Sequence, residues 1–416
     1  MKKILLISFS LALCLNIFAQ NTQISLNQGY TNQSFYSIQN GEVLNISNED
    51  WDIAFSTETF SSTIRTNDGK GVELYTYPLG DISAWDDINN SDINNLSELM
   101  FNSDTSWEYG AFDINQTGGL DYGWGVYNMQ THHLIGDSLF LIKTINQNWK
   151  KLCIESKISG EYQIRYADLD GSNEVNMSIP ALNYSDKNFI YYSLEMDQMI
   201  DREPNKNDWD ITFTKYLTLY PTQQGAFMPY SVTGTFNNAG VEVAQADNIS
   251  SPLTYNDYSL HPFSTEINTI GYDWKLFQGS YIIVDDRCYF VRDKAGNIWR
   301  LTFVDFEGSS TGNIEFNTEL IQSTDIAELT QINSFAIYPN PVTITEELTL
   351  IYELSSQNTH ATVRIYDFSG RERYVSELNN YGLLSHTINI KDFKPGIYMI
   401  SINVDGIQKT ERVVIN

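Results

Sequence analysis

One phrase occurs twice in this chain and limits what the chain can fold into. Phe35-Tyr36-Ser37-Ile38, a polar run and Asp50-Trp51-Asp52-Ile53-Ala54-Phe55 come first. Phe189-Ile190-Tyr191-Tyr192-Ser193-Leu194, a polar run to Pro204 and Asp208-Trp209-Asp210-Ile211-Thr212-Phe213 come later. From Asp50 to Ser56 the pattern alternates, with Trp51, Ile53 and Phe55 facing one way and Asp52, Ala54 and Ser56 the other. A period of two with large apolar residues on one face predicts a half-buried strand.

Further segments answer one another in the same order. Gly271-Tyr272-Asp273-Trp274 matches the stretch around Trp124. Asp286 to Arg292 matches Asp137 to Lys143, Trp299 to Asp305 matches Trp149 to Glu155, and Gly312 to Phe316 matches Gly160 to Tyr166. The offset is about 158 residues at the first Trp and about 150 afterwards, far above the period of stacked repeats. We read an internal duplication, with one unit over residues 20–180 and a second over 181–325. Short alternating runs separated by turn residues such as Asn67-Asp68-Gly69 predict antiparallel meanders. Asp81 to Phe101 is the one stretch with loose helical spacing.

Composition supports an exported all-β protein. The 26 Tyr and 21 Phe favour strands. A formal charge of −27 repels nucleic acid and anionic membranes, which excludes both as partners, and keeps an exported chain soluble. Residues 1–19 read as a signal peptide: Lys2 and Lys3, an apolar run from Ile4 to Phe18 too short to span a bilayer, and Ala19 at the cleavage point. Leu13 stands before Cys14 where a lipid-anchor signal wants a small residue, so signal-peptidase cleavage is expected. No later stretch is apolar enough to cross a membrane. Cys153 and Cys288 remain, each in an apolar-alternating strand, and are expected to be buried free thiols.

A polar linker over 326–332 precedes a third module, residues 333–416. It holds seven basic and nine acidic residues, so the acidity belongs to the duplicated body. Short strands from Leu348 to Ile415 predict a small β-sandwich. Tyr338-Pro339-Asn340-Pro341, Ile365-Tyr366-Asp367-Phe368-Ser369-Gly370-Arg371, Pro395-Gly396-Ile397-Tyr398 and the terminal Arg412-Val413-Val414-Ile415 resemble the type A C-terminal sorting domain of the type IX secretion system. The resemblance implies an Ig-like sandwich, contact with the secretion machinery through 333–416, and export across the outer membrane to the cell surface or the medium.

Each unit of the body resembles the HmuY-like family of secreted haem-binding proteins. Trp51 to Phe55 with Ile64-Arg65-Thr66-Asn67 and its glycine turn carries the likeness in the first unit. Cys288 to Phe303 carries it in the second. The resemblance implies haem as cofactor and two axial histidines. Haem iron takes an imidazole or a thioether inside an apolar wall. The candidates are His132, His133 and Met129, between two strands of the first unit; neighbours on a strand face opposite ways, so one His of the pair would meet the iron. The bland alternative is exposed loop histidines.

Asp168, Asp170, Asn173 and Glu174 surround Gly171 and are candidate calcium ligands, although their spacing is not that of an EF-hand loop; a solvated acidic turn is the alternative. Trp124, Tyr127, Tyr162, Tyr166, Tyr191 and Tyr192 offer a platform for sugars or planar ligands, or cross-strand pairs inside a sheet. No nucleophile elbow, zinc-protease motif, phosphate loop or dinucleotide fingerprint occurs. The expected protein is therefore a non-catalytic binding protein, for haem or a porphyrin, or alternatively for adhesion or glycans.

Overall fold

The computed structural model describes residues 21–222, 225–323, 332–345, 347–354, 361–368, 370–378, 382–404 and 407–416. The signal segment and all but the last residue of the expected linker lie outside these residues. The chain divides into two compact units, Met1–Gln322 and Ser323–Asn416. Both are built from antiparallel sheet. Where helical spacing was read, Ile82–Asp87 and Asp92–Asn94 form short 3-10 turns. No helix among the described residues is long and apolar enough to cross a membrane.

The strands of the first unit fall into two series. The first is β1 (Asn21–Ser25), β2 (Asn32–Ser37), β3 (Gly41–Ser47), β4 (Ile53–Ser56), β5 (Ile64–Thr66), β6 (Glu73–Thr76), β7 (Gly125–Asn128), β8 (His133–Gly136), β9 (Phe140–Lys143), β10 (Trp149–Ile158) and β11 (Glu161–Asp168). The second is β12 (Val175–Pro180), β13 (Phe189–Ser193), β14 (Gln198–Ile200), β15 (Ile211–Pro221), β16 (Phe227–Asn237), β17 (Glu242–Ala246), β18 (Lys275–Phe277), β19 (Tyr281–Ile283), β20 (Cys288–Arg292), β21 (Ile298–Phe306) and β22 (Asn313–Gln322).

The two series do not fold side by side. One lobe holds the sheet β14-β13-β4-β5 and a sheet in which β12-β11-β10 is joined by β9-β6 and β8-β7. The other holds β3-β2-β15-β16, β1-β22-β21-β20-β17 and the hairpin β18-β19. Advancing every strand of the first series by eleven places converts one set of pairings into the other, except that β8 pairs with β10 while β19 stays in its own hairpin with β18. Each series therefore gives its first three strands to the other lobe. The expected boundary at 180/181 lies between β12 and β13, inside this exchanged block.

The recurring phrase is the clamp for the exchanged strands. Ile53 pairs with Tyr192, and Ile211 pairs with Tyr36, in the same register. The Asp52 amide donates to the Tyr192 carbonyl at 3.0 Å, and that of Asp210 to Tyr36 at 2.9 Å. The carboxylate of Asp52 accepts from the Leu194 amide at 2.8 Å, and that of Asp210 from the Ile38 amide at 2.8 Å. Asp52 accepts a second amide, from Ile145, at 2.8 Å. Trp51 meets Tyr191 edge-on at 4.9 Å between ring centres, and Trp209 meets Phe35 at 5.1 Å.

This geometry changes the reading of the strand. β4 is buried on both faces, not one. Ile53 and Phe55 enter the core of the first lobe, with Trp124, Tyr162 and Ile190. Trp51 and Ala54 face the seam between lobes, with Phe189 and Tyr191. The seam admits close backbone approach at Gly69, where an added Cβ would stand 2.0 Å from the Lys215 carbonyl oxygen. Cys153 and Cys288 are buried free thiols, and burial raises them to about 12 and about 11.

The second unit has β23 (Ile332–Tyr338), β24 (Glu347–Leu354), β25 (Ala361–Asp367), β26 (Glu372–Glu377), β27 (Gly382–Asn389), β28 (Gly396–Val404) and β29 (Ile407–Ile415). They form the sheets β23-β24-β27 and β26-β25-β28-β29. Leu348, Leu350 and Tyr352 of one sheet share a core with Val363, Ile365, Ile400 and Ile402 of the other. That is the sandwich alternation predicts, inward apolar and outward polar.

Two tests follow from the exchange. Asp52→Ala strands two buried amides and should cost about 3 kcal/mol in urea unfolding, and Asp210→Ala, with one, about 2 kcal/mol. Residues 20–180 produced alone should not give a folded monomer by size exclusion and circular dichroism, because β13 and β14, which flank β4, and β15 and β22, which hold β2 and β1, all lie beyond residue 180; a stable monomer contradicts the pairing.

Candidate functional site

The most ligand-like surface lies on the first lobe, between two connections. One runs from β4 to β5 through Phe60, and the other from β6 to β7 through Trp107 and Tyr109. Buried cations hold both rims. The Arg65 guanidinium donates to the carbonyls of Ser103 at 2.8 Å, Ser106 at 2.9 Å and Tyr109 at 3.4 Å. It also lies 5.1 Å from the Trp107 ring centre. Asn102 ties the same loop to β5, accepting from the Thr66 amide at 3.0 Å and donating to Asp68 at 2.7 Å. On the opposite rim, the Lys157 ammonium donates to the Ser61 carbonyl and packs 5.0 Å from the Tyr162 ring. Burial lowers Lys157 to about 8.

Between these rims lie two adjoining depressions of about 260 and about 340 Å³ that share Phe60, Ser61 and Glu108. The first is completed by Thr63, Tyr109, Asp113, Asp121 and Tyr122, among others. Glu58, Trp107, Asn188 and Phe189 help complete the second. Phe60 between them is 96% exposed, an unusual position for a phenylalanine. Asp113 sits under the first depression and accepts from the Thr63 hydroxyl and from the Gly110 amide at 2.7 Å. Its Oδ1 is buried with no partner. Burial raises this carboxyl to about 7.

A second cavity, of about 70 Å³, lies at the seam between the lobes. Both clamp tryptophans, Trp51 and Trp209, line it, as do Phe35 and Tyr191. It is far below the roughly 300–1,000 Å³ of sites for drug-sized ligands, so it has room for a few waters and none for a porphyrin. Thr66, Trp209 and Tyr216 each line it with a buried polar atom that lacks a protein partner, which fits bridging water.

The residues singled out from sequence lie elsewhere. Met129 and His132 lie in the turn joining β7 to β8, and His133 opens β8 opposite Asn128. Met129 is 69% exposed, His132 is left-handed at φ 61, and its Nδ1 lies 2.8 Å from the Tyr127 hydroxyl. None of the three lines the groove or the seam cavity. His261 stacks on Phe290 at 6.2 Å and meets the Tyr255 hydroxyl at 3.1 Å.

The acidic turn after β11 is satisfied by protein donors. Asp168 pairs with Lys150 at 3.0 Å and accepts from Asn173 at 2.7 Å. Asp170 accepts from the Ser172 amide at 2.9 Å. Glu174 pairs with Arg165 at 2.8 Å and accepts from the Trp85 indole at 3.1 Å. Among the described residues, no group of three or more His, Cys, Asp or Glu is placed to hold a metal ion. Of the aromatic candidates, Trp124, Tyr162, Tyr166, Tyr191 and Tyr192 are buried, so they build cores and not a surface platform. The groove aromatics sit in connections, where no periodicity marks them. The one available signal was Arg65, a cation inside an otherwise buried strand.

Comparison with known proteins places two domains. Residues 336–416 match the secretion system C-terminal sorting domain. Residues 185–317 match the HmuY protein family. The chain thus carries an HmuY-like domain and a type IX sorting domain, and the latter indicates export to the cell surface or the medium. No curated protein matches the chain. Among solved structures, it resembles PorZ, a surface component of the type IX secretion system of Porphyromonas gingivalis, at 12% identity and a TM-score of 0.18, over 73% of this chain and 53% of PorZ. The chain thus spans about half the length of PorZ. It also resembles dimeric latent PorU from the same organism, at 11% identity and a TM-score of 0.17, over 85% of this chain and 31% of PorU. A third is the BSP domain of a biofilm-associated protein, at 9% identity and a TM-score of 0.20, over 89% and 82% of the two chains.

The buried acids set a pH dependence. Burial raises Asp68 to about 6, and Asp113 and Glu203 to about 7, all above their unfolded values. The folded state then holds more protons on these three acids between pH 4 and 7, so their contribution to stability falls across that window. The melting temperature should be higher at pH 5 than at pH 8, and Asp113→Asn should narrow that difference. An unchanged difference would mean that Asp113 ionises normally.

Proposed function

We propose that this is an exported, non-catalytic binding protein whose body takes a carbohydrate in the groove around Phe60. The observation that carries the reading is the fully exposed Phe60 ring between two depressions edged by aromatic and oxygen-bearing side chains. A pyranose presents C–H faces that stack on aromatic rings and hydroxyls that bond to carboxylates and hydroxyls. Phe60, Trp107, Tyr109 and Tyr122 supply the rings; Ser61, Thr63, Glu58 and Glu108 supply the polar partners. The rims are pre-set by Arg65 and Lys157, which lowers the entropy lost on binding.

We further read the first half as a second HmuY-like copy that has exchanged its leading strands with the matched one. The eleven-place correspondence of the strand pairings and the common register at Ile53 and Ile211 support this reading.

Haem is the second reading, favoured by the HmuY match over residues 185–317. Its candidates lie outside that match, with Met129 and His132 on an exposed turn and His133 at the start of β8. Calcium at Asp168, Asp170, Asn173 and Glu174 would have to displace the Asp168 and Glu174 ion pairs and the hydrogen bonds that Asp170 and Asn173 already make.

Two measurements separate the readings. A panel of neutral and acidic oligosaccharides titrated calorimetrically into the mature protein should show saturable binding that Phe60→Ala weakens at least tenfold. Absence of binding across the panel, or an indifferent Phe60→Ala, removes the glycan reading. Haemin titration should leave the Soret band unsharpened; a saturable band lost on replacing His132, His133 and Met129 would put haem in its place.

A further inference from the structure

We propose that the outer end of the β15–β16 ribbon inserts into the interface of an uncharged lipid surface. The first observation lies in sequence. From Tyr216 to Val241 there is no charged residue, in a chain where charged residues make up 19%. The second lies in the ribbon. β15 pairs with β2 only through Ile211, Thr212 and Phe213, and then continues with β16 as a two-stranded ribbon to Pro221 and Phe227. The middle of the ribbon is anchored, by Ser231 donating to the Gly69 carbonyl at 3.2 Å and Thr218 donating to Asp104 at 2.6 Å. Beyond that anchor, alternation places Tyr220, Met228 and Tyr230 on one face and Leu219 and Phe227 on the other.

These five side chains are 43–66% exposed, with Tyr220 lowest and Phe227 highest. A groove on a protein partner would cover one face of such a ribbon and leave the other wet. A lipid interface surrounds both. Tyr230, level with Thr218, lies nearest the anchor; Tyr220 and Met228 stand opposite each other one pair from the end, and Phe227 is at the end, so an interfacial ring and apolar side chains enter together. The charge of the chain selects the lipid: a protein at −27 is repelled by an anionic surface, and an uncharged end allows approach to a zwitterionic one.

Flotation of the mature full-length protein with phosphatidylcholine vesicles tests this. The protein should float with the vesicles, and adding one third phosphatidylglycerol at low salt should reduce the bound fraction several-fold. The triple variant Leu219→Ser, Phe227→Ser, Met228→Ser should stay at the bottom while keeping its melting temperature; Leu276→Ser with Phe277→Ser, on the separate β18–β19 hairpin, should still float. No flotation, or flotation unchanged in the triple variant, overturns the proposal. So does a dimer on size exclusion that the triple variant dissolves, because the ribbon would then serve a second copy of this chain.

Discussion

Two buried aspartates hold the body of this protein together. Asp52 and Asp210 each accept the amide of a strand that comes from the other half of the chain. A carboxylate taken out of water needs donors in place, and a backbone amide two residues past a paired position is a fixed donor. Each aspartate thereby reads whether the foreign strand is present and in register. The adjoining tryptophans add ring contacts to Tyr191 and Phe35 of the same strands. The six-residue phrase recurs because it performs one task twice.

The exchange also shapes the surface. Asn188 and Phe189 reach the groove because β13 belongs to the first lobe by pairing although it is part of the second series. The loop bearing Trp107 is caught between lobes, with its indole donating to the Asn237 carbonyl at 2.9 Å and Arg65 stacked on its ring. Connections held by buried cations give a binding site fixed rims. The seam cavity, at about 70 Å³, is narrow enough to serve packing and not ligand capture.

Much of the architecture was legible in the sequence. Period-two alternation gave the all-β class, and the terminal motifs gave the sorting module that the family comparison matches. Trp51 was assigned to the face of Ile53 and Phe55 because alternation along one strand knows nothing of a second lobe; the seam buries the opposite face as well. The exchange was hidden because collinear matches look the same whether strands stay or cross over. The groove was hidden for a different reason. Phe60, Glu108 and Tyr109 lie on connections and become neighbours only through Arg65 and Lys157, two buried cations bonded to carbonyls far along the chain. Aromatics at strand spacing drew attention instead, and Tyr162 and Tyr166 turned out to be core.

Hydrogen exchange read by mass spectrometry on the intact mature protein addresses the exchanged strands directly. Amides of β1 to β3 should open with those of β15 to β22, and amides of β12 to β14 with those of β4 to β11, at any denaturant concentration that separates the lobes. Peptides covering Asn21–Ser47 that instead track Ile53–Asp168 would mean each half folds on itself, and the aspartate clamps would lose the role assigned to them.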